Sequence, residues 1–180
     1  MPTWFSLINY YQEKESEMNS SRLLQMSTVA PYNTPRVRTV VFRAWTDSFE
    51  MIIFTDKRSQ KFGELEVNNN VEICWLFPKA KCQFRFRGNS KIDSGKDSSY
   101  FWSQLDHHTK SMLSWPKPCD KYALDKSEQV FSKKVSNHSH NFALLKIEVN
   151  HVDQLLLHKP IHIRRQWKKN EEWIEERINP

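Results

Sequence analysis

The reading of the fold turns on "TPRVRTVVFRAW", Thr34 to Trp45, and on "FEMIIFTDKRSQK", Phe49 to Lys61, which follows it across a "TDS" turn. Both runs are rich in β-branched and aromatic residues and are bounded by Pro, Asn, Asp and Ser, the composition of strands ending in tight turns. Upstream, "LLQMSTVA", Leu23 to Ala30, reads as a third strand joined through the turn "PYNTP", so these segments form a β-meander. Downstream, "RSQKFGELEVNNN" changes to helical spacing at Phe62 and Leu65, and its three asparagines mark the helix end. Two more strands follow, "VEICWLFP" and "KCQFRFRG". In the second, Lys81, Gln83, Arg85 and Arg87 alternate with Cys82, Phe84 and Phe86, so one face is core and the other polar and basic.

Further out, Trp4, Leu7, Ile8 and Tyr11 fall at helical spacing and predict an N-terminal helix lying on a core. Residues 96 to about 113 read as helical. "SWPKPCDKYALDKSEQVFSKKVSNHSHN" reads as an irregular or partly helical excursion, a lid or dimer arm. "FALLKIEVNHVDQLLL", "IHIRRQWKK" and "EEWIEERINP" then resume as strands, the last two separated by a turn at Asn170. Many short strands with few helices favour a small antiparallel barrel over a doubly wound sheet. The expectation is one domain over residues 1–180, with 96–140 as the excursion.

The three cysteines, Cys74, Cys82 and Cys119, have no paired spacing, which predicts a reduced, cytoplasmic setting. The N-terminus carries acidic residues by position 13 and no long apolar run, so neither a signal peptide nor a membrane span is expected there. The sequon Asn137-His138-Ser139 carries no weight in that setting. The net charge of +6 is spread: residues 1–60 hold 7 basic and 6 acidic side chains, 61–120 hold 9 and 7, and 121–180 hold 11 and 8. Without a basic block, nucleic acid is an unlikely partner. His107-His108 and His138-x-His140 lack the further ligands a metal needs, and the tryptophans, Trp45, Trp75 and Trp102 among them, read as packing residues. Cys74 and Cys82 read as small core residues.

Three glycines, Gly63, Gly88 and Gly95, leave no GxGxxG and no Walker loop, so any phosphate must be held by side chains. Arg38, Thr39, Arg58, Ser59 and Lys61 supply the guanidinium, hydroxyl and ammonium donors that suit a phosphate dianion. The competing reading has the arginines paired with Asp47, Glu50 or Glu64 at the surface.

Arg38 to Arg43, Phe54-Thr55 to Ser59 and Lys61, Asn68 to Asn70, and Gln83 to Gly88 occur in the order and spacing of the pyridoxamine 5'-phosphate oxidase-like flavoproteins. Over these roughly 55 residues the chain resembles that family's core, and "WPKPCDKY" and "IHIRRQWKKNEEWIEERINP" extend the resemblance toward the C-terminus, with Cys119 where an oxidase-related branch has glycine. The resemblance implies a mainly β (α+β) fold, an antiparallel split β-barrel with flanking helices, and a homodimer with two FMN sites between subunits.

It further implies that Arg38, Thr39, Val40 and Val41 line FMN, that Phe54 and Thr55 flank it, and that Ser59 and Lys61, with Arg58, hold its phosphate. Gln83 and Arg164 reach the ring system, and Arg43 and His162 stand near cofactor and substrate. The departures concern substrate. Gln60 replaces a usual arginine, Pro160-Ile161-His162 replaces Arg-Leu-His, an arginine position falls near Asp106, and a late tryptophan falls within Leu155–Leu157. The implied function is an FMN-dependent oxidoreductase acting on a small molecule. The alternatives are a non-catalytic flavin- or haem-type binding module of the same fold and a basic-surface interaction protein.

Overall fold

The alternation in residues 82–87 becomes the wall of a barrel: Cys82, Phe84 and Phe86 are wholly buried, while Gln83, Arg85 and Arg87 face outward. The structure, a computed structural model, describes residues 1–113, 115–122 and 140–180. Eight strands lie among them: β1 (Leu23–Ala30), β2 (Thr34–Trp45), β3 (Met51–Asp56), β4 (Asn70–Phe77), β5 (Cys82–Asp93), β6 (Phe142–Leu156), β7 (Ile163–Lys168) and β8 (Glu176–Ile178). Four α-helices accompany them: α1 (Thr3–Lys14), α2 (Gln60–Val67), α3 (Lys96–Gln104) and α4 (His107–Met112).

The strands pair antiparallel in the order β3-β2-β1-β4-β5-β6-β7-β8, and β3 also pairs with β6. That second pairing closes β1 to β6 into a six-stranded barrel and leaves β7 and β8 as an extension of β6. The fold is the antiparallel split barrel with flanking helices that the resemblance implied, within the small antiparallel barrel class that the strand pattern favoured. Closure removes the free edges that a six-stranded sheet would otherwise expose.

Aromatic side chains fill the interior. Trp4, Trp75, Phe77, Phe84 and Phe86 are fully buried, and Trp4 of α1 packs edge-on against Trp45 and Phe86 with ring centroids 5.7 and 5.9 Å apart. Helix α1 therefore plugs the barrel, as the spacing of Trp4 and Ile8 predicts. A second, smaller core of Ile52, Trp102, Phe142 and Leu144 lies on the other side of β3 and β6, with Phe54, Phe101, Leu105 and Leu113 packed on it.

Three local expectations are corrected. The helical stretch from residue 96 is two helices, because Asp106 takes the N-cap of α4 and accepts from the Thr109 amide at 2.8 Å. The C-terminal "EEWIEERINP" is strand only over Glu176–Ile178, because a 3₁₀ turn at Lys169–Glu171 leads into left-handed Glu172 and Trp173 at φ 54° and 61°. Cys74 lies on the outer face opposite Arg85 and is half-buried, whereas Cys82 is in the core as expected. The sequon, His138 and most of the excursion after Tyr122 lie outside the described residues. Among the described residues no helix is long and apolar enough to cross a membrane, and no group of three or more His, Cys, Asp or Glu side chains could hold a metal.

Candidate functional site

The charge in β2 is explained by register. Arg38 stands opposite Met26 and Val40 opposite Leu24, with Met26 and Leu24 fully buried, so Arg38 occupies a core-facing position. A guanidinium there needs partners. Its Nη2 donates to Glu64 Oε2 of α2 at 2.7 Å, and its Nη1 donates to Thr28 Oγ1 of β1, whose hydroxyl itself donates to Glu64 Oε2. Of the two readings of this arginine, pairing with Glu64 is the one seen, but the pair is largely buried and covered by α2 rather than solvated at the surface.

Beyond β3 the chain turns sharply through Lys57 and Arg58 into α2. Ser59 holds the N-cap position of α2 but makes no capping bond. Its hydroxyl donates instead to the Asp56 carbonyl at 2.6 Å and lies 3.4 Å from Thr55 Oγ1, and Thr55 is buried. The Phe62 amide donates to the Ser59 carbonyl at 3.1 Å, and the Ser59 hydroxyl caps none of the first-turn amides, so the start of α2 keeps an affinity for an anion. Lys61 Nζ lies 3.3 Å from Ser59 Oγ, and no carboxylate is within ion-pair distance of it among the described residues. Burial pushes its ammonium below the ordinary lysine range, and the neighbouring Arg38 guanidinium pushes it further; Asp56 and Glu64 oppose this.

Arg58 is engaged elsewhere. Its Nε and Nη2 grip the Asp56 carboxylate at 3.0 and 2.7 Å, and Nη1 donates to the Trp115 carbonyl at 2.9 Å. Its hydrogen bonds to Asp56 raise its pKa. It thus ties the turn to the segment beginning at Trp115, and phosphate contacts fall first to Lys61, Ser59 and Arg38.

Arg43 shows a feature that sequence reasoning missed. The β2–β3 register shifts between Phe42 and Ala44, so Arg43 is the extra residue of a β-bulge, a device that re-aims a side chain. Its guanidinium lies 4.8 Å from the centre of the Phe54 ring, and its buried Nε has no hydrogen-bond partner among the described residues. Burial lowers its pKa, with Arg22 adding to that and Asp106 opposing.

The remaining expected residues divide by face. Val40 points into the barrel, whereas Thr39 and Val41 point out of it, on the opposite side of β2 from Arg38. Gln83 and Arg164 share that outer surface: Gln83 pairs with Leu155, and Leu155 with Arg164. Arg164 is held by buried Asp153 at 3.0 Å, which also meets Arg85 at 3.3 Å. His162 is exposed just before β7. One chain therefore presents a cationic cluster at the start of α2, an arginine on an aromatic ring at the β2 bulge, and a polar outer face. The donor set of the first suits a phosphate dianion, and the orphaned Arg43 Nε offers a donor beside an aromatic wall.

Comparison with known proteins points the same way. Residues 1–94 match the family model for the pyridoxamine 5'-phosphate oxidase, FMN-binding domain. A pyridoxine/pyridoxamine 5'-phosphate oxidase 2 from Arabidopsis thaliana is 30% identical over 166 residues, covering 86% of this chain and 83% of that protein. A pyridoxine/pyridoxamine 5'-phosphate oxidase from Psychrobacter cryohalolentis is 30% identical over 133 residues, 72% of this chain and 61% of that protein. Among solved structures, a pyridoxamine 5'-phosphate oxidase-related, FMN binding protein from Nostoc punctiforme superimposes with a TM-score of 0.92 at 28% identity, covering 100% of this chain and 99% of that one. PhzG from Burkholderia lata, at a TM-score of 0.88 and 12% identity, shares the fold.

Proposed function

The chain belongs to the pyridoxamine 5'-phosphate oxidase, FMN-binding domain family, and from that premise we propose that it is an FMN-dependent oxidoreductase acting on a small molecule as a homodimer. Lys61 is the observation that carries this reading. A desolvated ammonium with a hydroxyl partner but no carboxylate within ion-pair distance among the described residues, next to a second cation and the first turn of a helix, is an arrangement in want of an anion. The terminal phosphate of FMN supplies that anion.

In this reading Lys61, Ser59 and Arg38 hold the phosphate, the backbone of Arg38 to Val41 runs along the ring system, and Phe54 and Thr55 flank it. The bulge that turns Arg43 onto the Phe54 ring supports a role for it beside cofactor and substrate. Gln83 and Arg164, on the outer face, donate to the flavin of the dimer, where a second subunit covers that face. Bound FMN supplies hydride acceptance from substrate and return of electrons to an acceptor; donors near its ring favour the reduced, anionic form. The packed barrel interior keeps the ligand outside the barrel. The free thiols of Cys74, Cys82 and Cys119 suit a reducing cytoplasm.

The substrate is proposed not to be pyridoxamine 5'-phosphate. Asp106 accepts from the Thr109 amide and hydroxyl and acts electrostatically on Arg43, so a negative charge stands near the position where the family resemblance implies an arginine for the substrate phosphate. The first test is colour: protein purified with FMN should absorb near ~450 nm. Bleaching of that band by candidate donors under nitrogen distinguishes an oxidoreductase from a non-catalytic flavin binder. A protein that stays colourless after incubation with excess FMN would sink the proposal.

A further inference from the structure

Arg38, Thr28 and Glu64 close a three-membered ring of hydrogen bonds between β2, β1 and α2. Thr28 is 1% exposed and Glu64 9%. The ring engages Arg38 Nη1 fully, with the Arg36 carbonyl also within 3.2 Å of it, and takes one hydrogen of Nη2. Nε and the second hydrogen of Nη2 have no partner among the described residues. A guanidinium clamped along one edge in this way keeps two donors in fixed geometry for a bidentate acceptor. Lys61 lies one turn before Glu64 on α2, so the guanidinium held by Glu64 at 2.7 Å stands near that ammonium, and its charge helps to lower the Lys61 pKa.

We propose that Glu64 and Thr28 are positioning residues that set the protein's preference for a phosphorylated flavin by aiming Arg38, reaching the cofactor only through it. This rests on the reading of Lys61 and Arg38 as the phosphate site. Two effects of Glu64 oppose each other. Its carboxylate disfavours a nearby dianion by Coulomb repulsion, and its hydrogen bonds hold a long, rotamer-rich side chain in one geometry. Arg38 is unstable in a core-facing position without an acceptor, so loss of Glu64 lets the guanidinium swing toward water. The positioning effect therefore outweighs the repulsion.

The test uses the full-length chain and compares its affinity for FMN with that for riboflavin by flavin fluorescence titration, alongside thermal unfolding without flavin. Glu64→Ala should weaken FMN by about tenfold and riboflavin by no more than about twofold, the scale of one lost charge-assisted hydrogen bond. Glu64→Gln retains an acceptor and should stay within about threefold of the parent for both ligands. Thr28→Val, nearly isosteric, tests the other arm if Glu64→Ala does not fold, and should also reduce affinity for FMN selectively. Equal loss of both ligands, or a lower melting temperature with an unchanged FMN-to-riboflavin ratio, would make the ring a structural ion pair and overturn the proposal. Tighter FMN binding in Glu64→Ala would overturn it in favour of repulsion. Lys61→Ala separates the two layers: if it leaves the ratio unchanged, the phosphate assignment itself fails. If it collapses the ratio while Glu64→Ala does not, only the positioning role fails.

Discussion

Lys61 is the residue on which the cofactor assignment is most exposed to experiment. Replacing it with Ala removes the cation that has no carboxylate within ion-pair distance among the described residues, and FMN binding should weaken by ~1.5–3 kcal/mol, the scale of a hydrogen bond to a charged group. Riboflavin, lacking the phosphate, should bind the parent far more weakly than FMN; equal affinities in a titration would remove the phosphate site. The residue types of this site were legible in the sequence, because phosphate chemistry in a chain with three glycines leaves it to side chains. Their partners were not. Nothing in the spacing says that Arg58 would turn back on Asp56, two residues away, or that Arg38 would share Thr28 with Glu64. Those pairings depend on α2 lying over the end of the β1–β2 hairpin, which is a tertiary fact.

At the scale of elements, period-2 alternation located β5 because Cys82, Phe84 and Phe86 are buried between outward polar residues, and 3.6-residue spacing located α1 because Trp4 and Ile8 are fully buried with Leu7 and Tyr11 packed beside them. The bulge at Arg43 left no trace in the pattern, since an extra residue in a strand of mixed composition looks like any other. The bulge at Arg87–Gly88 is different, because it depends on a glycine. A Cβ on Gly88 would stand 2.1 Å from the Glu148 carbonyl oxygen of the neighbouring strand, so backbone must move to admit it. Gly88→Ala should therefore cost ~1–3 kcal/mol of stability, the range for forcing extra volume into a packed site, read as a lower denaturant midpoint at unchanged slope. A midpoint equal to the parent's would mean that β5 and β6 part there without cost.

The same elements set an alkaline limit. Burial raises the Cys82 thiol from 9.0 to about 11, and burial together with Cys82 raises the Tyr11 phenol from 10.0 to about 12. Both groups lose a proton more readily in the unfolded chain than in the folded one. Stability is therefore fully present below about pH 9 and declines as pH rises from there through about 12, because the unfolded state is favoured by ionisation. Denaturant midpoints measured from pH 7 to 10.5 should be level and then fall, and Cys82→Ala should fall less steeply from its own starting value. A parent profile flat to pH 10.5 would show that these groups are solvated in the folded protein.

On the scale of the whole molecule, the barrel closes its strand edges but leaves its outer face unevenly covered. Across β4 to β8 one row runs Leu76, Gln83, Leu155, Arg164 and Ile178. Leu76 is 50% exposed, and Leu157 and Ile161 near the same end are 47% and 64% exposed. Apolar side chains grouped around half-buried ion pairs such as Arg164–Asp153 mark a surface that gains by being covered. The family supplies the expectation of what covers it, a second copy, and the same contact would bring Gln83 and Arg164 to a flavin bound along β2. Assembly and cofactor binding are then linked: FMN that contacts both subunits stabilises the dimer by mass action, by about 2.7 kcal/mol at a hundredfold excess over its dissociation constant. Light scattering should return a mass near twice the chain's 21.6 kDa, and the melting temperature should rise with added FMN. Leu76→Arg, which puts a charge at the β4 end of the row, should shift the mass toward the monomer and weaken FMN in the same samples. A monomer that retains flavin as tightly as the parent would show instead that the site is complete within one chain, with Gln83 and Arg164 outside it.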